Sequence, residues 1–495
     1  MGQQLAVCVS AAALAGCSLI YNPGGLPGPN DGMEVIVDAD PSMLALMDVK
    51  PAVINEGQGA GGGRSAVIVI RGENIAPDAM VTITSQTNNN HFTVGAVELA
   101  ADHKFIAVQI VATVDDTLAP GSNNNLDIHV TQTIPAVGTI TKDLIGMVAI
   151  KGLRTLDTFN GDASTLDELY SDVKLSGAIT LSGNKDQRAT IRSASSIMVG
   201  NLDASGKSAQ NKTPGDGGPG GCKGGAPGGN GDCSPGAGQA GGMGGGGGGA
   251  SFGGDGTPGG GNNPGSAGMK VGNATISTYD DFMGITANRA GGGGGGGGGA
   301  VLTAGGAGGG GGGIVELTAE GDIMAGTITA NGGTGSRGTT TLTDGGGGGG
   351  AGGAILVRAG GTLATGMLTA KGAGSMDTGG TGSVGRIRFD VATGTPPAGD
   401  PVPHRGPAFA GAPVTVTTPN PSIMLTGSSN DGFKVYVIDH DGASHDQDTY
   451  AFGSNGTVTI TPTLFRGYNR LCILLDGGAR GTPEGEKCID IAMLP

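Results

Sequence analysis

The chain reads as all-β, in three parts: a β-sandwich, a glycine-rich parallel β-solenoid and a second, smaller β-sandwich. Three observations predict this. Glycine supplies 106 of the 495 residues. Trp is absent and there are only 6 Tyr and 10 Phe, so one large aromatic core cannot be built. Through the middle of the chain a short alternating block repeats, too small to bury its apolar face alone and therefore predicted to stack on its own copies.

Residues 35–133 form the first part. Apolar runs at 65–70, 80–84, 105–111 and 126–131 are separated by Asn, Gly and Pro turns, a spacing that predicts a β-sandwich. The stretch VIVIRGENIAPDAMVTI, residues 67–83, resembles the IPT/TIG immunoglobulin-like family. That resemblance implies an Ig-like module acting as a spacer or binding domain, and it carries over no catalytic residue.

Residues 134–395 form the repeated middle. The block at 323–332 (IMAGTITANG) returns 40 residues later at 363–372 (LATGMLTAKG), and it appears earlier at 197–206 (IMVGNLDASG). The earlier interval is 126 residues, close to three periods, and a partial copy at 284–288 fills one intermediate place. Pure glycine runs separate the copies at 244–249, 291–299, 308–313 and 345–350. Stacked as coils, the units put Ile323 over Leu363 and Ile328 over Leu368 inside. Thr, Arg and Lys point outward, and Asp203, Thr286, Thr329 and Thr369 form one outward row. The glycine runs are expected to pack as extended, polyproline-II-like arcs, because only glycine lets backbones approach so closely. The longer stretch 207–268 is expected to stay mobile.

A Pro-rich joint at 396–413 leads to the third part, 414–495. Strands are predicted around 414–417, 433–438, 457–460, 471–475 and 489–492, forming a small sandwich that caps the solenoid end.

Six cysteines fall into three sequence-local pairs. Cys8 and Cys17 lie near the N-terminus. Cys222 with Cys233, and Cys472 with Cys488, are expected as local disulfides formed in an oxidising compartment. The acidic stretch 439–448 offers Asp439, Asp441, Asp446 and Asp448 as a weak Ca²⁺ candidate, set against the plainer reading of a solvated hairpin turn. No other cofactor is indicated.

Residues 5–16 are a short apolar run ending in Leu14-Ala15-Gly16-Cys17. That quartet is similar to the lipobox of bacterial lipoproteins. The similarity implies a signal peptide over 1–17, a lipid on Cys17, a linker at 18–34 and, with Ser18 next, an outer-membrane or cell-surface destination. Acyl chains anchor without a spanning helix, each buried CH₂ contributing about 0.8 kcal/mol.

A net charge of −15 argues against nucleic acid, which needs a basic stripe. The six His are scattered, with none in the solenoid at all, and the outward row holds one carboxylate in four, so paired-acid glycosidase chemistry is not indicated. The expectation is therefore a lipid-anchored structural or adhesive envelope protein, not an enzyme. Its partners would be the membrane and an extracellular polysaccharide or surface protein. The alternative is a carbohydrate-active β-helix enzyme or polysaccharide-binding protein.

Overall fold

A computed structural model describes residues 43–87, 91–114, 118–135, 137–166, 169–234, 236–270, 293–295, 305–339, 344–475 and 486–495. The leader, Cys17 and the partial repeat at 284–288, with Thr286, lie outside them. The protein is all-β.

The first eight strands are β1 (Ala45–Lys50), β2 (Val53–Asn55), β3 (Ala66–Glu73), β4 (Met80–Ser85), β5 (Phe92–Leu99), β6 (Phe105–Ala112), β7 (Asn123–Ile134) and β8 (Gly138–Lys151). They make two four-stranded sheets, ordered β1-β3-β6-β5 and β2-β8-β7-β4. Both contribute to one core, with Ile68, Ile70, Val108 and Ile110 from the first and Leu126, Ile128, Val130 and Val148 from the second. Since β8 pairs with β7 along its length, these sheets run to Lys151, whereas the sequence places the boundary at 134.

Strand β3 is buried on both faces. Val67 and Val69, which alternate with the core-facing Ile68 and Ile70, pack on Tyr468, Ala492 and Leu494 of the C-terminal part. The unbroken apolar run in the sequence is the mark of such a strand, because a half-exposed one would alternate.

Among the described residues thirteen parallel strands form the middle sheet, which curls into a half-barrel. In chain order they are β9 (Arg154–Leu156), β10 (Leu169–Thr180), β11 (Ala189–Ser193), β12 (Ile197–Asp203), β13 (Ile314–Ala319), β14 (Ile323–Ala325), β15 (Ile328–Thr329), β16 (Ala354–Ala359), β17 (Leu363–Thr365), β18 (Leu368–Thr369), β19 (Arg386–Asp390), β20 (Gly399–Asp400) and β21 (His404–Arg405). The expected register is present: Ile323 pairs with Leu363 and Ile328 with Leu368. These residues join Val315, Leu317, Ile355, Val357, Ile387 and Phe389 in one inner core.

The 126-residue interval, however, is a single step. Ile197 lies beside Ile323, and Leu202 beside Ile328, with no strand between them. Among the described residues the intervening chain leaves the sheet after Asp203 and rejoins it at Ile314. Where described, it forms a glycine layer with residues 305–313 and 344–353. That layer is laced by backbone hydrogen bonds: Gly294 N–H donates to Gly309 O (2.9 Å), Gly309 N–H to Gly348 O (3.0 Å), Gly348 N–H to Gly295 O (2.8 Å) and Gly295 N–H to Gly248 O (2.9 Å). Residues 207–268, expected to be mobile, take part through bonds such as Gly231 N–H to Gly238 O (3.0 Å) and Gly238 N–H to Gly293 O (3.1 Å).

Close approach is what demands glycine in this layer. A Cβ on Gly309 would lie 1.8 Å from the carbonyl oxygen of Gly333, and one on Gly308 1.9 Å from that of Gly294. Ordering a glycine costs roughly 0.5–1 kcal/mol more than ordering alanine. A net hydrogen bond contributes about 0.5–1.5 kcal/mol, enough to offset that excess where nearly every residue is bonded.

The C-terminal strands are β22 (Ala408–Phe409), β23 (Thr415–Val416), β24 (Ile423–Thr426), β25 (Gly432–Ile438), β26 (Ser444–Ala451), β27 (Thr457–Ile460), β28 (Gly467–Leu475) and β29 (Glu486–Met493). Their sheets are β22-β24-β27 and β23-β29-β28-β25-β26. The Pro-rich joint is not a spacer, because β20 and β21 extend the parallel sheet beside β18 and β19. Nor does the third part merely cap an end. Its core residues Phe433, Val435, Leu471 and Ile473 form one cluster with Ile314, Ala354, Leu356, Phe252 and Ala351, so it covers the flank of the middle sheet and its glycine layer.

Candidate functional site

Covering that flank buries side chains which alternation alone assigns to solvent. Arg358 on β16 and Arg386 and Arg388 on β19 are buried, as is Asp390 between them. Arg358 Nε donates to Asp390 Oδ2 (3.2 Å) and Arg388 Nε to Asp390 Oδ1 (2.7 Å). Burial by itself would raise the Asp390 carboxyl. The charges and hydrogen bonds of Arg388 and Arg358, with the nearby ammonium of Lys487, outweigh it and hold the group below the usual carboxylate range. Arg386 instead lays its guanidinium 4.7 Å over the Phe252 ring.

A second charged junction joins the first and third parts. Arg71 binds Asp48 through Nε (3.1 Å) and Nη2 (2.5 Å), and Asp441 through Nη1 (2.8 Å). Asp48 Oδ1 also meets His440 Nε2 at 2.9 Å. Because His440 Nδ1 accepts the Tyr468 N–H (3.2 Å), Nε2 must carry the proton in this arrangement. Burial would raise Asp48, but the His440 and Arg71 bonds lower it on balance. Arg64, in the glycine-rich loop after β2, donates to the backbone oxygens of Pro413 and of Asp490 (2.9 Å for the latter).

The Ca²⁺ candidates are dispersed by the fold. Asp439 Oδ1 accepts Ala443 N–H (2.8 Å) and its Oδ2 pairs with His445 (2.8 Å), while Asp441 turns to Arg71. The acidic turn ends at residue 443, and Asp446 and Asp448 lie on β26, which the sequence reading takes as part of the turn. Among the described residues these four do not gather into a set able to grip one cation. Cys472, Glu486 and Cys488 do lie together, but those sulfurs are joined as a disulfide, their strands pairing Cys472 directly with Cys488. Cys222 is joined to Cys233 within the glycine layer, their Cα atoms 6.0 Å apart.

His404, counted outside the repeat in sequence, is on β21 of the middle sheet. Its Nε2 meets Asp431 Oδ2 at 2.7 Å, and Ser428 Oγ stands 3.5 Å from its Nδ1. The set has the composition of a nucleophilic triad. Its hydroxyl, however, donates to Arg405 O at 2.8 Å, so the serine is spent on the backbone and the trio clips the last coil to the third part.

The middle sheet carries a polar row that differs from the expected outward one in two ways: it continues to Asp400, and Thr369 within it is buried rather than turned to solvent. Asp203, Thr329, Thr369 and Asp400 are consecutive partners. Thr329 Oγ1 donates to Asp203 Oδ1 (2.7 Å), and Lys371 Nζ reaches Asp400 (3.0 Å). Beside it run the exposed Met198 and Met324, paired with each other and then with Ala364, lining a shallow cavity of about 320 Å³.

A larger cavity, about 600 Å³, opens where the parallel sheet begins at β9. It is lined by residues 154–160 together with Thr165. Sequence reasoning assigned these residues nothing beyond membership of the repeat, and LRTLDTFN carries no motif that would have singled them out.

No family model, curated protein or solved structure matches the chain. Among the described residues no helix is long and apolar enough to cross a membrane.

Proposed function

We propose that this is an exported envelope protein with a structural or adhesive role, held to the outer membrane or cell surface by lipid on Cys17. On this reading the paired four-stranded sheets are a TIG-like immunoglobulin fold, the curled parallel sheet is a β-solenoid, and the third part is a β-sandwich along its flank. The observation that carries the proposal is the glycine layer. A stretch composed like a flexible spacer is tied, strand to layer and layer to layer, into a stiff body, which is the property a surface scaffold needs. The disulfides Cys222–Cys233 and Cys472–Cys488 fit an oxidising compartment.

The enzymatic alternative would rest on Asp203 and Asp400 at the two ends of the polar row. Asp203 is committed to Ser205 and Thr329, and Asp400 to Lys371, which favours the scaffold. Fractionation of cells expressing the full chain tests the proposal. The wild type is expected in the membrane fraction with an acylated Cys17, and Cys17→Ser in the soluble one. A mature N-terminus without lipid, read by mass spectrometry, would overturn it.

A further inference from the structure

We propose that the cavity at the start of the parallel sheet is a binding site for a neutral oligosaccharide. This rests on the adhesive half of the reading above and supplies its ligand class.

The site is built by a single short segment held from behind. Strand β9 pairs with β10, aligning Arg154 with Tyr170 and Leu156 with Val173. Leu156 is buried in the inner core and Phe159 packs partly against it, so the segment is fixed at two points. Tyr170, the strand partner of Arg154, is fully buried behind the segment. The Arg154 guanidinium lies 5.4 Å over its ring and donates from Nη2 to its hydroxyl (3.4 Å). Asn160 Oδ1 accepts Asp162 N–H (3.0 Å), which orients its amide and leaves the NH₂ group to donate.

Among the described residues the cavity is lined by the side chains of Arg154, Asp157, Asn160, Leu156 and Phe159 with three threonines, of which Thr155 already meets Ser171 Oγ (3.1 Å) and Thr165 donates to Asp162 O (2.8 Å), leaving Thr158. About 600 Å³ suits a ligand of a few rings. Planar polar groups beside a ring match a sugar, whose hydroxyls both donate and accept and whose C–H face is apolar. Asp157 accepts from hydroxyls, the Asn160 amide donates to them, and Phe159 offers the apolar surface.

Other ligands fit less well. A polyanion would meet the Asp157 carboxylate and a chain of net charge −15. An apolar ligand would desolvate the Asp157 carboxylate and the Asn160 amide with no compensating hydrogen bond. A peptide added as a strand would need a long free edge, and β9 has three residues.

The test is a glycan array probed with the full chain, followed by titration of whatever neutral glycan it captures. Asp157 is exposed, so Asp157→Ala should keep the wild-type melting temperature and weaken binding about tenfold or more, the loss of a hydrogen bond to a charged group. Asn160→Ala, also at an exposed position, should weaken it in the same direction. Asp400→Ala, in the polar row elsewhere on the sheet, should leave it unchanged. Capture of no neutral glycan overturns the proposal while leaving the anchored scaffold standing. So does capture that Asp157→Ala and Asn160→Ala leave intact, or that Asp400→Ala abolishes. Selective capture of extended peptides on a peptide array would overturn it in favour of a protein partner.

Discussion

Replacing one buried glycine by alanine tests whether the glycine layer is a packed solid. Gly309 sits within it, its N–H donating to Gly348 O (3.0 Å) and its carbonyl accepting from Gly294 N–H (2.9 Å). An added Cβ would lie 1.8 Å from Gly333 O, with further backbone atoms at 2.5 and 2.8 Å. Ordinary contact would require Gly333 to retreat by more than an ångström. Gly333 is itself bonded on through its N–H to Gly310 O (2.7 Å), so the displacement spreads along the layer. Overpacking of this kind costs about 1–3 kcal/mol, and a disrupted hydrogen bond adds about 1 kcal/mol. Gly309→Ala is therefore expected to destabilise by about 2–4 kcal/mol. Gly374 is the control: a Cβ there meets nothing within 4 Å and its φ lies outside the left-handed region. Gly374→Ala should stabilise by about 0.4–1 kcal/mol, because alanine reduces the freedom of the unfolded chain. Denaturant titration of the two variants decides the matter. Equal effects, or no loss in Gly309→Ala, would refute the packed layer, since a flexible spacer would accept both methyl groups alike.

Two further outcomes follow from the sheet. Ile328→Asp should cost several kcal/mol by placing an unpaired carboxylate in the inner core, while Met324→Asp, at an exposed position one strand earlier, should stay within about 0.5 kcal/mol in thermal melts. Met324 is a better control than Thr329, because an Asp at 329 would face Asp203 across the row. Asp390 is held below its ordinary value, so the stability it contributes is present above the unfolded carboxyl value of about 3.9 and is lost as pH falls through the lower folded value. Asp390→Asn should cost about 3–5 kcal/mol at neutral pH by leaving buried guanidiniums uncompensated. Its deficit against the wild type should narrow on acidification in melts taken below about pH 4; a deficit constant with pH would refute the ion-pair account.

Features governed by short-range periodicity were legible in the chain itself. Alternation fixed which of Ile328 and Thr329 turns inward. Recurrence at 40 residues placed Ile323 over Leu363, because parallel stacking needs only that each copy meet the next in the same phase. Sequence-local cysteines told which sulfurs could meet, since residues 11 and 16 apart need little loop closure. The glycine composition announced close backbone approach, though not between which segments.

Tertiary structure decided the rest, wherever the answer depends on which distant face covers which. The interval from 197 to 323 looks like three periods by arithmetic and is one step in space, because a layer of backbone hydrogen bonds can absorb an excursion that no strand period records. Arg358, Arg388 and Asp390 alternate as solvent-facing residues and are buried because the third part lies over them. Asp439 and Asp441 resemble a cation loop until Arg71, some 370 residues away in sequence, claims one of them. The cavity beside Asp157 is framed by a segment that pairing with β10 and the inner core hold in place. Polar side chains on an open strand have no signature until a neighbour turns their backbone into the wall of a groove.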